Sequence, residues 1–243
     1  MTKRMRIDRL LVERGLFESR AKAQEAIAAG MVTADGTTIT KPAEAVSADA
    51  ALQAAPAHPW VSRGGLKLVA ALDHFGIDPG GRICLDVGAS TGGFTQVLLA
   101  RGARQVYAVD VGRGQLHATL RGHPQVVSIE ATDIRKLEPT RFERPPDLVT
   151  IDVSFIPLKL VLPAAFALAG AAAQAVMLIK PQYEAGPAHV KKGMVRDPAV
   201  HQQVCAEVTA LVASLGWTVL GVIPSPIAGG DGNHEFLMAA QQR

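Results

Sequence analysis

Two lysines and two carboxylates are the side chains in this 243-residue sequence whose types and placement suit proton transfer. Asp152 and Lys180 each end an apolar run that is typical of a buried strand. Glu235 begins the last apolar run, and an antiparallel strand there would start at the edge where the other two end. Lys67 lies on a predicted helix before the first strand, so its position does not follow from the sheet. Four charges in one crevice are costly unless they pair, so the set is either a catalytic site or two structural salt bridges.

A glycine-rich stretch over residues 82–95, RICLDVGASTGGFT, predicts a ligand site at the end of a strand. The apolar start and the small residues after it predict a buried strand, a tight turn and a helix that begins near Gly93. In open α/β sheets, ligands bind outside the carboxyl ends of the strands.

Three interpretations of this turn compete. A dinucleotide fingerprint requires glycine where Ser90 stands, so it matches poorly. Residues 88–92 spell the G-x-S-x-G of a nucleophile elbow, with His234 as a distant partner. That elbow normally follows several strands of its sheet, and none precedes this one. The third interpretation, the first loop of an S-adenosylmethionine-dependent methyltransferase, is the one we favour.

Acidic residues at three successive predicted strand ends support that interpretation, and all three are expected to face one crevice. A carboxylate at Asp110 can accept hydrogen bonds from both ribose hydroxyls of the cofactor, and Asp133 can recognise its adenine amino group. The residues expected to bind S-adenosyl-L-methionine are Asp86, Gly88, Ser90, Gly92, Gly93, Phe94, Asp110 and Asp133.

Beyond residue 58 the sequence alternates between strand and helix patterns. Strands are predicted near 82–87, 104–109, 125–129, 147–152, 175–180, 217–223 and 235–240, and helices near 65–75, 93–101, 114–121, 157–169 and 198–215. This alternation predicts an α/β fold with a Rossmann-like, doubly wound sheet of seven strands, as in methyltransferases. A loop without a helix joins the last two strands, which predicts an antiparallel pair.

Residues 1–57 have the pattern of a separate small α+β module. Gly15 ends one predicted helix, Ser19 caps a second, and a hairpin turns at residues 34–36. The formal charge of the chain is only +3, so any affinity for nucleic acid depends on where the basic residues lie. These residues form either an RNA-binding face or an ordinary solvated surface. The candidates for RNA contact are Arg6, Arg9, Arg20, Lys22 and, beyond the module, Arg63.

Composition limits the remaining functional classes. Cys84 and Cys205 give neither a disulfide framework nor metal-ligand spacing, so both are expected to be inert and no metal site is predicted. The basic start of the chain lacks the apolar run of a signal peptide, which favours the cytoplasm. Residues 160–179 carry no charge and have the length of a spanning helix. Because Pro163 and Gly170 interrupt them, we expect a helix, a turn and a buried strand instead.

The motifs resemble two known families. Residues 6–46 resemble the RNA-binding domain first described in ribosomal protein S4, in which two helices and the turn between them contact folded RNA. The motifs SRGGLK (62–67), DVGASTGGF (86–94), IDVSF (151–155), IKPQ (179–182) and GNHE (232–235) resemble the TlyA family of ribosomal RNA 2′-O-methyltransferases. Gly65 is a small departure, since a bulkier residue also occurs there in relatives.

The resemblance implies an RNA-binding domain with its linker over 1–57 and an FtsJ-like catalytic domain over 58–243. It further implies S-adenosyl-L-methionine as cofactor, cytidine targets in ribosomal RNA or ribosomal subunits, and Lys67, Asp152, Lys180 and Glu235 as the catalytic tetrad. From the sequence itself we expect no membrane association, and no obligate protein partner is evident. The haemolysin name often given to this family has no physical basis in the sequence.

Methylation of a ribose hydroxyl suits these residues. Lys180 could take the proton, since burial and a neighbouring cation both favour the neutral form of a lysine amine. Asp152 would hold that lysine, and Glu235 would orient Lys67 or the ribose. Base methylation fits less well, because neither cysteine is placed as a nucleophile and no Asn/Asp-Pro-Pro-aromatic motif follows the fourth strand. The target nucleotide has to be unstacked to reach the pocket.

Two functions from other classes stay open on the sequence alone. One is a membrane-active haemolysin that uses residues 160–179, and the other is a non-enzymatic RNA-binding assembly factor that merely retains the cofactor site.

Overall fold

The computed structural model describes residues 4–230 and 232–242. The chain divides into two compact units, Met1–Pro59 and Trp60–Arg243. The boundary expected from the sequence, between residues 57 and 58, falls two residues before this division. Each unit has a core of its own.

The first unit packs two helices against short strands. Its helices are α1 (Ile7–Glu13) and α2 (Arg20–Ala28), and its strands are β1 (Arg4–Arg6), β2 (Val32–Ala34), β3 (Thr37–Thr38), β4 (Ala45–Ser47) and β5 (Leu52–Ala54). The Ser19 side chain caps α2 by accepting a 3.4 Å hydrogen bond from the Lys22 amide. Ile7, Leu11 and Ile27 are fully or almost fully buried between helices and strands. The sequence did not predict β1 and β4, which pair with each other and are too short to show a period.

The second unit is built on a seven-stranded sheet. Its strands are β6 (Ile83–Val87), β7 (Gln105–Val109), β8 (Val126–Ile129), β9 (Leu148–Ile151), β10 (Gln174–Ile179), β11 (Trp217–Pro224) and β12 (Phe236–Gln242). They lie in the order β11-β12-β10-β9-β6-β7-β8. The five strands from β10 to β8 are parallel, and β12 runs antiparallel to both its neighbours. The predicted doubly wound sheet and its terminal antiparallel pair are confirmed.

Helices cover both faces of this sheet, so its central strands are buried on both sides. The helices are α3 (Gly64–Phe75), α4 (Gly93–Ala100), α5 (Ala118–Arg121), α6 (Leu158–Ala167), α7 (Pro181–Glu184) and α8 (Pro198–Ser214). Side chains of α3 and α4 form the core on one face, and those of α6 and α8 form the core on the other. All five residues of β6 are buried, which explains its unbroken apolar pattern.

Two stretches test the helix predictions. The helix expected over 114–121 is wrong in its first half, because the Glu130 carboxylate accepts hydrogen bonds from the amides of Gly114, Gln115 and Leu116 and holds them in a loop. Residues 160–179 follow the prediction, since they contain the end of α6, a turn and the buried strand β10. Among the helices in the described part of the chain, none is long and apolar enough to cross a membrane.

Candidate active site

A cavity of about 520 Å³ opens at the carboxyl ends of β6, β7 and β9. This is the edge at which open α/β sheets bind their ligands, and the volume lies within the range of ordinary ligand pockets. Among its walls are four of the residues predicted to bind a cofactor: Gly88, Ser90, Asp110 and Asp133. Asp152, Ser154 and Phe155 line it as well.

Asp110 is held in place by the backbone around it. Its two carboxylate oxygens accept hydrogen bonds of 2.7 Å from the amides of Ser90 and Gly112. A carboxylate can accept about four hydrogen bonds, so Asp110, which lines the cavity, can accept about two more. Ser90 adopts φ +48°, a left-handed conformation that aims its amide at this carboxylate.

Asp133 also lies at the cavity wall, where Arg135 engages it. The Arg135 side chain donates to both carboxylate oxygens, with Nε 3.0 Å from each. This guanidinium lowers the pKa of Asp133 to about 2. A ligand amino group at Asp133 therefore meets a charged carboxylate that already has a cationic partner.

Asp86 does not face the cavity, and the expectation that it would is wrong. Its side chain is fully buried, with Thr95 Oγ1 donating at 2.6 Å and Thr150 Oγ1 at 3.0 Å. Burial raises the pKa of Asp86 to about 7, against the opposing effect of the two hydroxyls. Within a strand that is covered on both faces, this carboxylate points into the protein and ties β6 to β9 and α4.

The glycines of the turn are explained by packing more than by ligand approach. Gly88 has φ +83°, and a Cβ there would lie 2.4 Å from the Asp152 carbonyl oxygen, so β6 and β9 end in close contact. A Cβ at Gly92 would lie 2.4 Å from Leu120 Cδ1, and one at Gly93 would lie 2.1 Å from the Ser62 hydroxyl. Phe94 is buried in the core on the same face of the sheet as α3. Gly92, Gly93 and Phe94 thus shape the turn without lining the cavity.

Lys180 and Asp152 form the first of two buried lysine–carboxylate pairs. Lys180 follows β10 and is 8% exposed, and its Nζ lies 2.6 Å from Asp152 Oδ1. This contact is an ion pair that is not aligned as a hydrogen bond, which leaves Asp152 Oδ1 without a hydrogen-bond donor among the described residues. The aligned acceptor is Ser154 Oγ, at 2.9 Å from the same amine. The sequence did not identify Ser154, although it lies in the IDVSF motif.

Lys67 and Glu235 form the second pair. The Lys67 amine donates a hydrogen bond to Glu235 Oε2, and the two residues are 7% and 5% exposed. Gly229 packs against this carboxylate, since a Cβ there would lie 2.4 Å from Glu235 Oε1. Both charges are therefore held within a closely packed wall of the second unit.

The topology brings the two pairs to one edge. Ile179 lies opposite Phe236 at the end of the antiparallel β10–β12 ladder. Lys180 follows Ile179 and Glu235 precedes Phe236, so Lys180 and Glu235 lie side by side just beyond the ladder. On α3, the Cβ position of Gly64 lies 3.7 Å from Asp152 Oδ2, one helical turn before Lys67. A Cβ at Gly65 would lie 2.5 Å from Trp60 Cγ, so Trp60 fills the space that a bulkier residue would need.

An aromatic pair at the cavity was also missed by the sequence analysis. Phe155 is 89% exposed and has φ +64°, a conformation that is rare for a bulky residue. Its ring centroid lies 5.2 Å from that of Tyr183. Of the two, Phe155 lines the cavity, so an exposed ring in a strained conformation lies at the cavity wall.

The basic residues of the first unit are only partly open to a ligand. Asp8 is fully buried and accepts hydrogen bonds from Arg6, Arg20 and Gln24. Chiefly because of Arg6, the pKa of Asp8 lies far below its usual range. Arg6 and Arg20 are thereby fixed on one surface with nearly half of each side chain exposed.

The other candidates for RNA contact differ in exposure. Arg9 lies on the exposed side of α1. Lys22 is partly buried, with its amine 3.9 Å from Glu25. Arg63 is exposed at the start of α3, in the second unit. The two cysteines are consistent with inert positions, since burial raises the pKa of Cys84 to about 12 and that of Cys205 to about 11.

Comparison with known families agrees with the fold and site. Residues 60–242 match the FtsJ-like methyltransferase family, and residues 5–52 match the S4 domain. A solved methyltransferase from Burkholderia thailandensis that acts on 1,6-didemethyltoxoflavin is 18% identical, with a TM-score of 0.53 over 74% of this chain and 77% of that one, which supports the fold alone.

Relatives with much higher identity extend over nearly the whole chain. The 16S/23S rRNA (cytidine-2'-O)-methyltransferase TlyA of Mycobacterium tuberculosis is 47% identical over 98% of this chain and 90% of its own. Hemolysin A of Brachyspira hyodysenteriae is 38% identical over 96% and 98%. A solved structure from Streptococcus thermophilus that carries a hemolysin name is 42% identical, with a TM-score of 0.78 over 100% of this chain and 90% of that one.

Fold, cavity and family matches together define a methyltransferase of the FtsJ-like class whose domain is preceded in the sequence by an S4 domain. Within that class the chain belongs to the TlyA family of ribosomal RNA methyltransferases.

Proposed function

We propose that this protein transfers a methyl group from S-adenosyl-L-methionine to the 2′-hydroxyl of a cytidine ribose in ribosomal RNA. The observation that carries the proposal is the position of the Lys180 amine, which is held by Asp152 and Ser154 where these two residues line the cofactor cavity. The relative from Mycobacterium tuberculosis is named as a cytidine-2'-O-methyltransferase of 16S and 23S rRNA, which supports the substrate. With ribosomes as substrate, we expect the protein to work in the cytoplasm.

The cavity residues fit the cofactor. S-adenosyl-L-methionine supplies a methyl group on a positively charged sulfur. Asp110 has two acceptor positions left for the ribose hydroxyls of the cofactor, because the amides of Ser90 and Gly112 occupy only the other two. Asp133 is a charged acceptor suited to an adenine amino group, provided that it shares its carboxylate with Arg135. The close approach of β6 and β9 at Gly88 shapes the cavity floor.

Lys180 is proposed as the general base that takes the proton of the ribose hydroxyl. Ser154 fixes one N–H of the amine, which limits the directions left for contact with a substrate hydroxyl. In the ion pair with Asp152 the amine carries its proton, which it has to lose before it can act as a base. When the amine then takes the proton of the ribose hydroxyl, Asp152 at 2.6 Å stabilises the positive charge that forms again. Asp152 therefore takes part in the reaction step. It also contributes to stability, since removal of one partner from a buried ion pair is destabilising.

Lys67 and Glu235 are proposed to bind and orient the ribose. Glu235 fixes the Lys67 amine, and two further protons of that amine can contact substrate oxygens. The arrangement supplies a fixed positive charge beside the reacting ribose. It also accounts for the cost of burying Lys67, since an unpaired lysine at 7% exposure is unfavourable.

Phe155 and Tyr183 are proposed to receive the base of the target nucleotide. Enzymes that act within folded RNA unstack the nucleotide and stack its base on aromatic side chains. Phe155 is exposed and lines the cavity, so its ring is accessible to a base there. In the first unit, the exposed parts of Arg6 and Arg20 and the surface residue Arg9 are proposed to contact RNA phosphates, together with Lys22 and Arg63.

Mapping of ribose methylation tests the proposal. Purified ribosomal subunits that lack the modification are incubated with the protein and S-adenosyl-L-methionine, and the RNA is then hydrolysed with alkali, which spares 2′-O-methylated positions. We expect one or a few cytidines to become resistant, and none with the Lys180→Met variant. Methyl groups on a base would contradict the proposed reaction. RNA and cofactor binding without any methyl transfer would instead identify an assembly factor.

A further inference from the structure

A cluster of cations on the second unit has no part in the reaction described above. It lies in the segment from His189 to Arg196, here called the basic loop, whose exposed cations are Lys191, Lys192 and Arg196. Among the described residues, none of these three cations has an ion pair. The acidic residues on either side are engaged by backbone amides, since Glu184 accepts a hydrogen bond from the Leu158 amide and Asp197, the N-cap of α8, accepts one from the Ala199 amide.

The tip of the basic loop is a tight turn with a defined shape. Lys191 and Met194 exchange two backbone hydrogen bonds of 2.9 and 3.1 Å. Between them, Lys192 has φ +52° and Gly193 has φ +76°, which are the positive values of a type I′ turn. Asparagine or glycine occupies the first of these positions more easily than lysine does. A lysine held there in a left-handed conformation is the sort of local strain that accompanies functional contacts.

Two buried side chains fix this turn to the rest of the unit. Asn233 is 3% exposed, and it donates to the Gly193 carbonyl at 2.9 Å and accepts from the Val195 amide at 3.2 Å. His201 is 8% exposed, and its Nε2 donates to the Val195 carbonyl at 2.9 Å. The lysines therefore stand on a rigid support, unlike cations on a solvated surface.

The same support links the basic loop to Glu235 in the candidate active site. Asn233 precedes Glu235 by two residues, and two residues of chain span at most about 7 Å. The side chain that grips the turn thus belongs to the same short segment that positions Glu235 and, through it, Lys67. The basic loop is thereby tied to the segment that holds the residues proposed to orient the target ribose.

We propose that the basic loop binds backbone phosphates of the RNA strand next to the target nucleotide, and that Asn233 positions this loop relative to Glu235. The inference rests on the proposed function, because it takes RNA as the substrate. An unstacked nucleotide loses its contacts within the helix, and cations that hold the flanking phosphates compensate for part of that loss. Compact lysine ammonium groups suit phosphate oxygens whose exact orientation varies.

The test compares two pairs of charge removals in the full chain. Lys191→Gln/Lys192→Gln removes two cations from the turn, and Arg104→Gln/Arg144→Gln removes two from the opposite, amino-terminal edge of the sheet. The affinity for a ribosomal RNA fragment that the wild type methylates is measured across salt concentrations. Each lost phosphate contact lowers the log–log salt slope by roughly 0.7–0.9, so the first pair should lower it by about 1.5 and the control pair should not.

A third variant separates shape from charge. Gly193→Ala keeps every charge but strains the turn at φ +76°, where no neighbouring atom obstructs the new methyl group. We expect it to raise the KM for RNA severalfold, while the strain lowers the melting temperature by only about 2–4 °C. If the affinity for RNA and the salt slope of Lys191→Gln/Lys192→Gln equal those of the wild type, the basic-loop proposal is wrong. Methylation of the RNA by the wild type in the same experiment would leave the proposed function intact. A wild type that never methylates ribose would overturn the proposed function itself.

Discussion

The two sides of the candidate site hold their carboxylates in different ways. On the cofactor side, Asp110 accepts hydrogen bonds from two backbone amides, and Asp133 accepts them from the guanidinium of Arg135. A guanidinium, like an amide, keeps its protons at working pH. On the reaction side, Asp152 and Glu235 pair with lysines. An amide cannot gain or lose a proton at working pH, so it makes a carboxylate a fixed acceptor. A lysine can do both, which suits the second side to proton transfer.

Lys180→Met should have the largest effect, and it should lower the rate of methyl transfer without weakening cofactor binding. The variant keeps the length of the side chain but has no amine, so methyl transfer should slow by roughly two to four orders of magnitude. Cofactor affinity should stay nearly unchanged, because Asp110 does not depend on Lys180. Single-turnover kinetics and calorimetric titration separate these two quantities. A large loss of cofactor affinity would erase the distinction between the two sides.

Asp110→Ala is the reciprocal change. It removes the carboxylate expected to accept the ribose hydroxyls, and charge-assisted hydrogen bonds contribute roughly 1.5–3 kcal/mol. The affinity for S-adenosyl-L-methionine should therefore fall about ten- to a hundredfold, while the rate at saturating cofactor changes far less. Calorimetry that shows wild-type affinity would remove Asp110 from the cofactor site.

Ser154→Ala should have a smaller effect on the rate, since it removes the aligned acceptor of Lys180 but leaves the ion pair with Asp152. We expect methyl transfer to slow about tenfold, as a hydrogen bond to a charged group contributes roughly 1.5 kcal/mol or more. Ser154→Thr keeps the hydroxyl and should restore most of the rate. If alanine and threonine behave alike, the hydroxyl does not position the amine.

Asp86 belongs to neither side of the site, because two threonine hydroxyls hold it inside the protein. Replacing it should therefore change the stability of the protein. Its pKa of about 7 in the folded protein exceeds the ordinary value, so its contribution is complete at acidic pH and is lost as the pH rises toward and through 7. Asp86→Asn cannot ionise, so its stability relative to the wild type should increase between about pH 4 and 8, by on the order of 3–4 kcal/mol. Urea unfolding across that range measures the difference. A constant difference would show that Asp86 ionises normally.

The sequence predicted the frame of the site better than its contacts. All seven strands of the sheet were predicted, because each is a short apolar run bounded by turn residues. Asp110, Asp152 and Lys180 directly follow three of these runs. The inward orientation of the Asp86 side chain was not predicted, because the sequence does not show which residues surround an acidic side chain at a strand end. Glu130 shortened a predicted helix through contacts with backbone amides, which leave no pattern in the sequence.

Pairings between distant segments were likewise beyond the sequence. Lys67 and Glu235 are separated by 168 residues, and only the packing of α3 beside β12 brings them together. Ser154 and Phe155 lie in the loop after β9, where the loop conformation rather than a sequence period decides what each side chain contacts. The basic loop depends on Asn233, whose role appears only once its two hydrogen bonds are seen.

The central claim, that Lys180 acts as the base in ribose methylation, is tested most directly by the single-turnover rate of Lys180→Arg across pH. Arginine keeps a positive charge near Asp152 but cannot give up its proton at any working pH. We expect the arginine variant to stay slow at every pH at which the wild type transfers the methyl group. An arginine variant with near wild-type rate would contradict the base assignment and leave Lys180 as a positioning charge.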